Sequence, residues 1–179
     1  MEKAPGISQF ISAERIAARV AELGLEIART LPPGEILAVG VLKGAFVFMA
    51  DLVRAIPRDV RCDFLTARSY GDTTETSGIV ELAADLAAPI EGKHVLLIED
   101  IVDTGLTLKY LLEVLEARRP ASLHVAALLS KPSRRKVDIR AEFTGFEVPD
   151  QFIVGYGLDA AQKYRHLPYL GVLENNPSV

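Results

Sequence analysis

Cysteine is all but missing from this chain. Cys62 stands alone among 179 residues, so no internal disulfide and no cysteine-held metal cluster can form. That usage fits a reducing compartment and leads us to expect a cytoplasmic protein. Long apolar runs are missing too, none approaching the ~20 residues that a bilayer-spanning helix needs. The opening stretch MEKAPGISQF lacks the basic start and apolar segment of a secretory signal. Asn176-Pro177-Ser178 is closed to glycosylation by its proline. The expectation is a protein neither secreted nor membrane-embedded. An excess of positive charge is also lacking: 20 Lys and Arg against 24 Asp and Glu leave a net charge of -4. That argues against a broad nucleic-acid surface, because neutralising phosphates needs clustered cations. There is no internal repeat and no low-complexity tract. The phosphate cradle of P-loop ATPases, Gly-x-x-x-x-Gly-Lys-Ser/Thr, occurs nowhere either.

What is present has the balance of one ordinary domain with a sizeable core, 49% hydrophobic and 25% charged. Helix and strand patterns alternate along it. Residues 12 to 29 put Ile16, Val20, Leu23 and Ile27 at helical spacing behind Ser12 as N-cap. EILAVGVL (35 to 42) reads as a buried strand, and residues 45 to 56 as a helix closed by Pro57. VRCDFLTA (60 to 67) is a strand, followed by a polar loop to Gly78 and a short strand from Ile79. HVLLIE (94 to 99) is a continuous apolar run, the pattern of a central parallel strand covered on both faces. Residues 106 to 119 form an amphipathic helix ended by Pro120, and SLHVAALL is a further buried strand. Strand, helix and strand at these spacings make βαβ units, so the fold class is α/β around a mostly parallel sheet flanked by helices.

In such sheets ligands bind beyond the carboxyl ends of the strands. There lies VLLIEDIVDTG (95 to 105), with three acids in five positions: Glu99, Asp100 and Asp103. Asp103 with Thr104, Gly105 and Thr107 supplies hydroxyls, a flexible glycine and free N-H groups at a helix start, which together cradle an anion. Two acids beside a phosphate would repel it unless a cation or sugar hydroxyls intervened. Hard oxygen ligands of this kind suit Mg²⁺. One acid here could simply cap the helix, a role worth about 1 kcal/mol; capping does not explain Glu99-Asp100 directly after a buried strand. VLLIED also has the form of a Walker B strand, but its partner motif is absent. GYGLDA (155 to 160) matches Gly-x-Gly-x-x-Ala, with Glu174 near the ribose-binding position of a dinucleotide fold. Pro168 interrupts the helix which that reading needs. Arg118-Arg119 and Arg134-Arg135-Lys136 could meet a phosphate, though short charge runs are more often solvated faces, and they stay unassigned.

VLLIEDIVDTGLTL resembles the 5-phosphoribosyl-1-diphosphate (PRPP) signature of the type I phosphoribosyltransferase family, here within residues 95-108. GVLKGAFVFMADL, RSYGDTTETSG, LLSKPS and GFEVPDQFIVGYGLD resemble, in order, motifs of its hypoxanthine-guanine branch, so the likeness runs from about residue 10 to 174. The resemblance implies a single domain over 1-179, a hood built from the N- and C-terminal segments (purine contacts about 131-175), and a mobile flap at about 68-78. It implies attack by purine N9 on ribose C1 of PRPP, with loss of diphosphate. Asp103 would be the base at purine N7. Glu99 and Asp100 would hold the ribose hydroxyls directly or through Mg²⁺, and Asp159 would serve a second Mg²⁺. Thr104, Gly105, Leu106 and Thr107 would grip the 5-phosphate. Lys131 would meet the 6-oxo group, Phe152 would stack on the purine, and the backbone of Ile153 would read the 2-position. Arg165 would meet diphosphate, as would the loop Leu42-Lys43-Gly44, where relatives often carry a cis peptide before the lysine. Ser69-Tyr70 would close over the reacting centre, excluding water. Partners would be PRPP, a 6-oxopurine and copies of the chain, as homodimer or homotetramer, with no nucleic acid and no membrane.

Two positions depart from the family's pattern: Glu81 stands where many relatives carry a basic residue, and Leu106 where some carry lysine. Two alternatives remain, a transferase for xanthine or another base and a PRPP-sensing regulator that binds nucleic acid. The regulator would need a basic face.

Overall fold

The central strands form because they are apolar on both faces and are covered on both. The computed structural model describes residues 6-70 and 79-174. In chain order these are β1 (Ile7–Ile11), α1 (Ala13–Thr30), β2 (Ile36–Leu42), α2 (Phe46–Ala55), β3 (Val60–Tyr70) and β4 (Ile79–Ala84). Then follow β5 (His94–Val102), α3 (Leu106–Glu116), β6 (Ser122–Ser130), β7 (Phe143–Glu147), β8 (Ile153–Val154) and β9 (Leu170–Leu173). Six strands make one sheet in the order β4-β3-β2-β5-β6-β7. β3, β2, β5, β6 and β7 run parallel, and only edge strand β4 is antiparallel.

Alternate residues of the middle strands point to opposite faces. Ile36, Ala38, Leu96, Ile98, Ala126 and Leu128 pack under α1 and α2 with Ile16, Leu23, Ile27, Phe48 and Leu52. Leu37, Val39, Val95, Leu97, Val125 and Ala127 pack under α3 with Leu108, Leu111 and Leu115. Every one of these positions is nearly sealed from solvent, which is why the strands read as unbroken apolar runs. α1 starts where expected: the Ser12 hydroxyl accepts the Arg15 N-H. No described helix is long and apolar enough to cross a membrane.

A second, three-stranded sheet, β1-β9-β8, lies apart from the first in pairing and is antiparallel throughout. It joins the two ends of the described chain, as the hood expectation required. Its turn at residues 155-158 is tied to α2 by the Tyr156 hydroxyl, which donates to Asp51. The GYGLDA segment enters no crossover helix; Gly155 and Gly157 take left-handed φ of 97° and 100° in turns instead. On the other side, the Arg19 guanidinium of α1 donates to the carbonyls of Gly145 and Thr144 at 3.1 and 2.9 Å, fixing α1 against edge strand β7. Of the expected flap, residues 71-78 lie outside the described residues. Ser69 and Tyr70 end β3, pairing with Val80 and Ile79.

Candidate active site

β5 delivers the first two acids. Val95 to Ile98 are fully buried, Glu99 is still buried, and the strand begins to open to solvent at Asp100. It continues to Val102 rather than stopping at residue 99, so both acids belong to the strand end and only Asp103 to the loop. Ile101 packs toward the α1/α2 layer and Val102 toward the α3 layer. These two opposed anchors orient the exit so that Asp103 lines the same cavity, of about 500 Å³, as Glu99 and Asp100.

The turn after Asp103 leads straight into α3. Gly105 has φ 84°, and a Cβ there would fall 2.8 Å from an Ile139 methyl and 3.0 Å from a Val137 methyl. Position 105 therefore suits glycine on two counts, a left-handed backbone and a tight contact. No side chain caps α3; the Thr104 hydroxyl accepts only a long 3.4 Å bond from the Leu106 N-H. Asp103 is thus not spent on capping. Thr104, Gly105 and Thr107 form the cavity wall at the helix start, with N-H groups and hydroxyls available to an anion.

Across the cavity stand Leu42, which ends β2, and Lys43 and Gly44 in the turn to α2. The Leu42–Lys43 peptide bond is cis. A Cβ on Gly44 would overlap the Asp100 carboxylate. The hood contributes Asp159 and Arg165. Arg165 Nη2 lies 2.7 Å from Asp159 Oδ1, and its Nη1 donates to the Gly157 carbonyl at 2.7 Å. Asp159 Oδ2 accepts the Gln162 N-H.

The acids are electrostatically frustrated. Burial pushes the Glu99 carboxyl well above the ordinary carboxylate range, and the Asp100 charge pushes it further. Asp100 rises to about 6, chiefly through burial, although the Ile101 N-H and Arg165 pull the other way. Two buried like charges that hold protons tightly would be relieved by a hard cation or by donated hydroxyls. Among the described residues no cluster of three or more potential ligands stands ready to cage a metal. That donor set matches Mg²⁺, which usually takes one or two carboxylates and completes its shell from substrate oxygens and water.

A consequence can be measured on the ligand-free protein. The folded-state pKa of Asp100 lies above the unfolded value of about 3.9, so its stabilising contribution is complete below pH 4 and is lost as pH rises through about 6. The Asp100→Asn protein should lack that loss. Urea titrations from pH 4 to 7 should show parent stability declining relative to the variant. A parent that gains on Asp100→Asn across this window would contradict the raised Asp100 pKa.

Lys131, Phe152 and Ile153 do not line the cavity of the acids. Lys131 is 7% exposed and follows β6, its N-H donating to the Val102 carbonyl at 3.0 Å, which sets it beside the β5 end. Ile153 is buried in β8, whereas Phe152 is 39% exposed, unusual for a residue that would otherwise be core. Leu106 also stays off the cavity wall, and the side chains of Ser69 and Tyr70 lie outside what is described.

Two arginines that the sequence leaves unassigned contact Asp103. Arg135 Nη1 donates to the Asp103 carbonyl and Nη2 to the Ser130 hydroxyl, both at 2.8 Å. Arg134 Nε lies 2.7 Å from Asp103 Oδ1. Oδ1 has no aligned hydrogen bond, so this contact is an ion pair with its N-H off line. The Asp103 charge, above all, raises the Arg134 pKa. The only cue in the sequence was proximity, three and four residues past Lys131. Arg118 and Arg119 do belong to the solvated surface, pairing with Asp85 and Glu91.

The family model for the phosphoribosyl transferase domain matches residues 6–161. A hypoxanthine-guanine phosphoribosyltransferase of Bacillus subtilis is 51% identical over 165 residues, 92% of each chain. A hypoxanthine phosphoribosyltransferase of Escherichia coli is 47% identical over 167 residues, 92% of this chain and 94% of its own. A crystal structure of a Bacillus anthracis hypoxanthine-guanine phosphoribosyltransferase, with HEPES in its active site, superposes with a TM-score of 0.88 at 49% identity. It covers 92% of this chain and 97% of that one.

Proposed function

The chain belongs to the phosphoribosyltransferase family, and from that premise we propose that it salvages purines. It moves the 5-phosphoribosyl group of PRPP onto N9 of hypoxanthine or guanine, giving IMP or GMP and diphosphate. One observation carries the reading: a single cavity gathers the α3 start, the three acids of 99-103 and the Lys43-Gly44 turn. Those would serve as a phosphate cradle, a sugar site and a diphosphate site for one ligand.

Each residue has a task. The turn from Thr104 through Gly105 and Leu106 to Thr107 grips the 5-phosphate at a helix start, where N-H groups and the helix dipole favour negative charge. Glu99 and Asp100 accept the ribose hydroxyls, and their charge suits the cationic sugar that forms as the bond from C1 to diphosphate breaks. Asp103 takes the N7 proton while N9 bonds to C1. Arg165 and the loop Leu42-Lys43-Gly44 receive the departing diphosphate, the planar guanidinium pairing two oxygens at once. Lys131 donates to the 6-oxo group, Phe152 covers the purine face with the exposed ring described above, and the Ile153 backbone faces the 2-position. Ser69 and Tyr70 close over the centre to exclude water. Glu99, Asp100 and Asp159 would hold Mg²⁺, whose chemistry is to neutralise diphosphate charge. Asp159 must first exchange its partners Arg165 and the Gln162 N-H.

The lone exposed thiol of Cys62 accords with work in the cytoplasm. Phe46 and Phe64, 44% and 42% exposed, supply apolar surface that assembly into a homodimer or homotetramer would cover. The test is turnover of hypoxanthine, guanine, xanthine and uracil with PRPP and Mg²⁺. Conversion of the 6-oxopurines is the expected result; no turnover of any base, with tight RNA binding instead, would overturn it.

A further inference from the structure

The two oxygens of the Asp103 carboxylate have different surroundings. Oδ1 is sealed from solvent beneath the Arg134 guanidinium, 2.7 Å away. The side chain as a whole keeps 38% exposure, so the open oxygen is Oδ2, on a residue that lines the cavity. The same guanidinium reaches the other way. Its Nη1 lies 3.3 Å from each oxygen of Asp150, and Asp150 Oδ1 lies 3.5 Å from Lys131 Nζ. Asp103, Arg134, Asp150 and Lys131 thus form one alternating chain of charges.

We infer that Arg134 is a positioning residue of the reaction: it clamps Asp103 through Oδ1 so that Oδ2 faces the purine N7 proton, and through Asp150 it sets the Lys131 ammonium on the same purine edge. This rests on the proposed transfer to a 6-oxopurine. In such a base N7 and the 6-oxo group are neighbours on one edge, so a proton acceptor and a cationic donor must be held at a fixed separation. An arginine suits that work because its rigid fork meets two carboxylates at once, whereas a lysine offers a single point charge. The clamp survives turnover. The N7 proton passes to Oδ2, the N9 lone pair forms the bond to C1, and diphosphate leaves with the electrons of the broken C-O bond, while Oδ1 stays with Arg134. The neighbouring Arg135 holds the backbone of the same residue through the Asp103 carbonyl. The two arginines therefore divide the work, one fixing the main chain and one the carboxylate.

Steady-state kinetics with hypoxanthine and PRPP test this in the parent and in the Arg134→Leu, Arg134→Lys and Asp150→Asn proteins. Arg134→Leu should lower kcat about ten- to a hundred-fold, the scale of a misplaced catalytic group. It should also raise the KM for hypoxanthine and leave the KM for PRPP unchanged. Arg134→Lys should regain most of kcat but not the hypoxanthine KM, since one charge can meet Asp103 or Asp150 but not both. Asp150→Asn should raise the hypoxanthine KM. Parent-like kinetics in Arg134→Leu would overturn the inference alone. So would a uniform rise in both KM values with a lowered melting temperature that lysine does not rescue, the mark of a folding defect. A parent that turns over no base would remove the proposed function as well.

Discussion

Asp103→Asn is expected to lower the single-turnover rate with hypoxanthine by about 10² to 10⁴ while leaving the urea midpoint almost unmoved. The two halves of that result have separate causes. Asparagine matches aspartate in shape but cannot accept the N7 proton, so the contribution of positioned proton transfer is lost. The fold, by contrast, depends on the residue through its main chain: the carbonyl holds Arg135, and substitution leaves it in place. The side chain does not cap α3, and its ion pair with Arg134 is between two partly exposed groups. Exposed pairs of that kind contribute about 0 to 1 kcal/mol. Rapid-quench kinetics at saturating substrates, with a urea titration beside them, separate the two effects. A variant within a factor of ten of the parent rate would remove Asp103 from the proton-transfer role.

That Asp103 could be singled out from sequence while Arg134 could not follows from where their signals reside. HVLLIE announces a strand buried on both faces because burial is written in its composition, and acids directly after it have few structural uses. The same holds for α1, whose apolar spacing and Ser12 cap are local features that survive into the fold. Arg134 has no such local mark. Its meaning arises only when the short 3-10 turn Pro132–Arg134 brings the guanidinium over residue 103, thirty-one positions earlier in the chain. An arginine pair in a polar stretch looks the same whether it faces water or a carboxylate.

The hood strands and the edge strand β7 escaped the sequence reading for a related reason. β8 has two residues and β9 four, too short for any alternation to show. β7, FTGFE, is broken by Gly145, which has no room for a side chain because a Cβ would overlap the Leu128 carbonyl. These strands exist because distant partners complete them: Ile7 opposite Leu173, Ile153 opposite Val172, Ala126 beside Phe143. Tertiary pairing decides them, not propensity. β5 also outran its expected end at residue 99, since its ladder to β6 persists through Ile101–Leu129 and Val102–Ser130. The extension matters for the site, because it places Glu99 and Asp100 on rigid strand instead of loop.

Gly44→Ala should lower kcat/KM for PRPP about a hundred-fold or more. Gly44 does not take the left-handed backbone that would demand glycine; the constraint is space. A Cβ there would overlap the carboxylate and Cβ region of Asp100, which sits on a strand buried at the centre of the sheet and cannot retreat. Nor can the 42-45 turn move the other way. Ala45 behind it is fully buried, and the Gly44 carbonyl abuts Gly157 of the hood so closely that a Cβ on Gly157 would strike it. The added methyl must therefore displace the Asp100 carboxylate, the group assigned to the ribose hydroxyls and metal, or tilt the turn assigned to diphosphate. Overpacking of this kind costs about 1 to 3 kcal/mol of stability, which the fold can absorb, whereas a reacting centre shifted by about 1 Å loses rate by two orders of magnitude. The kinetic damage should fall on PRPP and spare the base: the hypoxanthine KM, which we assign to Lys131, Phe152 and Ile153 outside this cavity, should stay near the parent value. Shortening the obstructing group in the Gly44→Ala, Asp100→Ala double variant should return the urea midpoint toward the parent without returning activity. Parent-like PRPP kinetics in Gly44→Ala would mean that neither Asp100 nor the 42-45 turn holds the substrate.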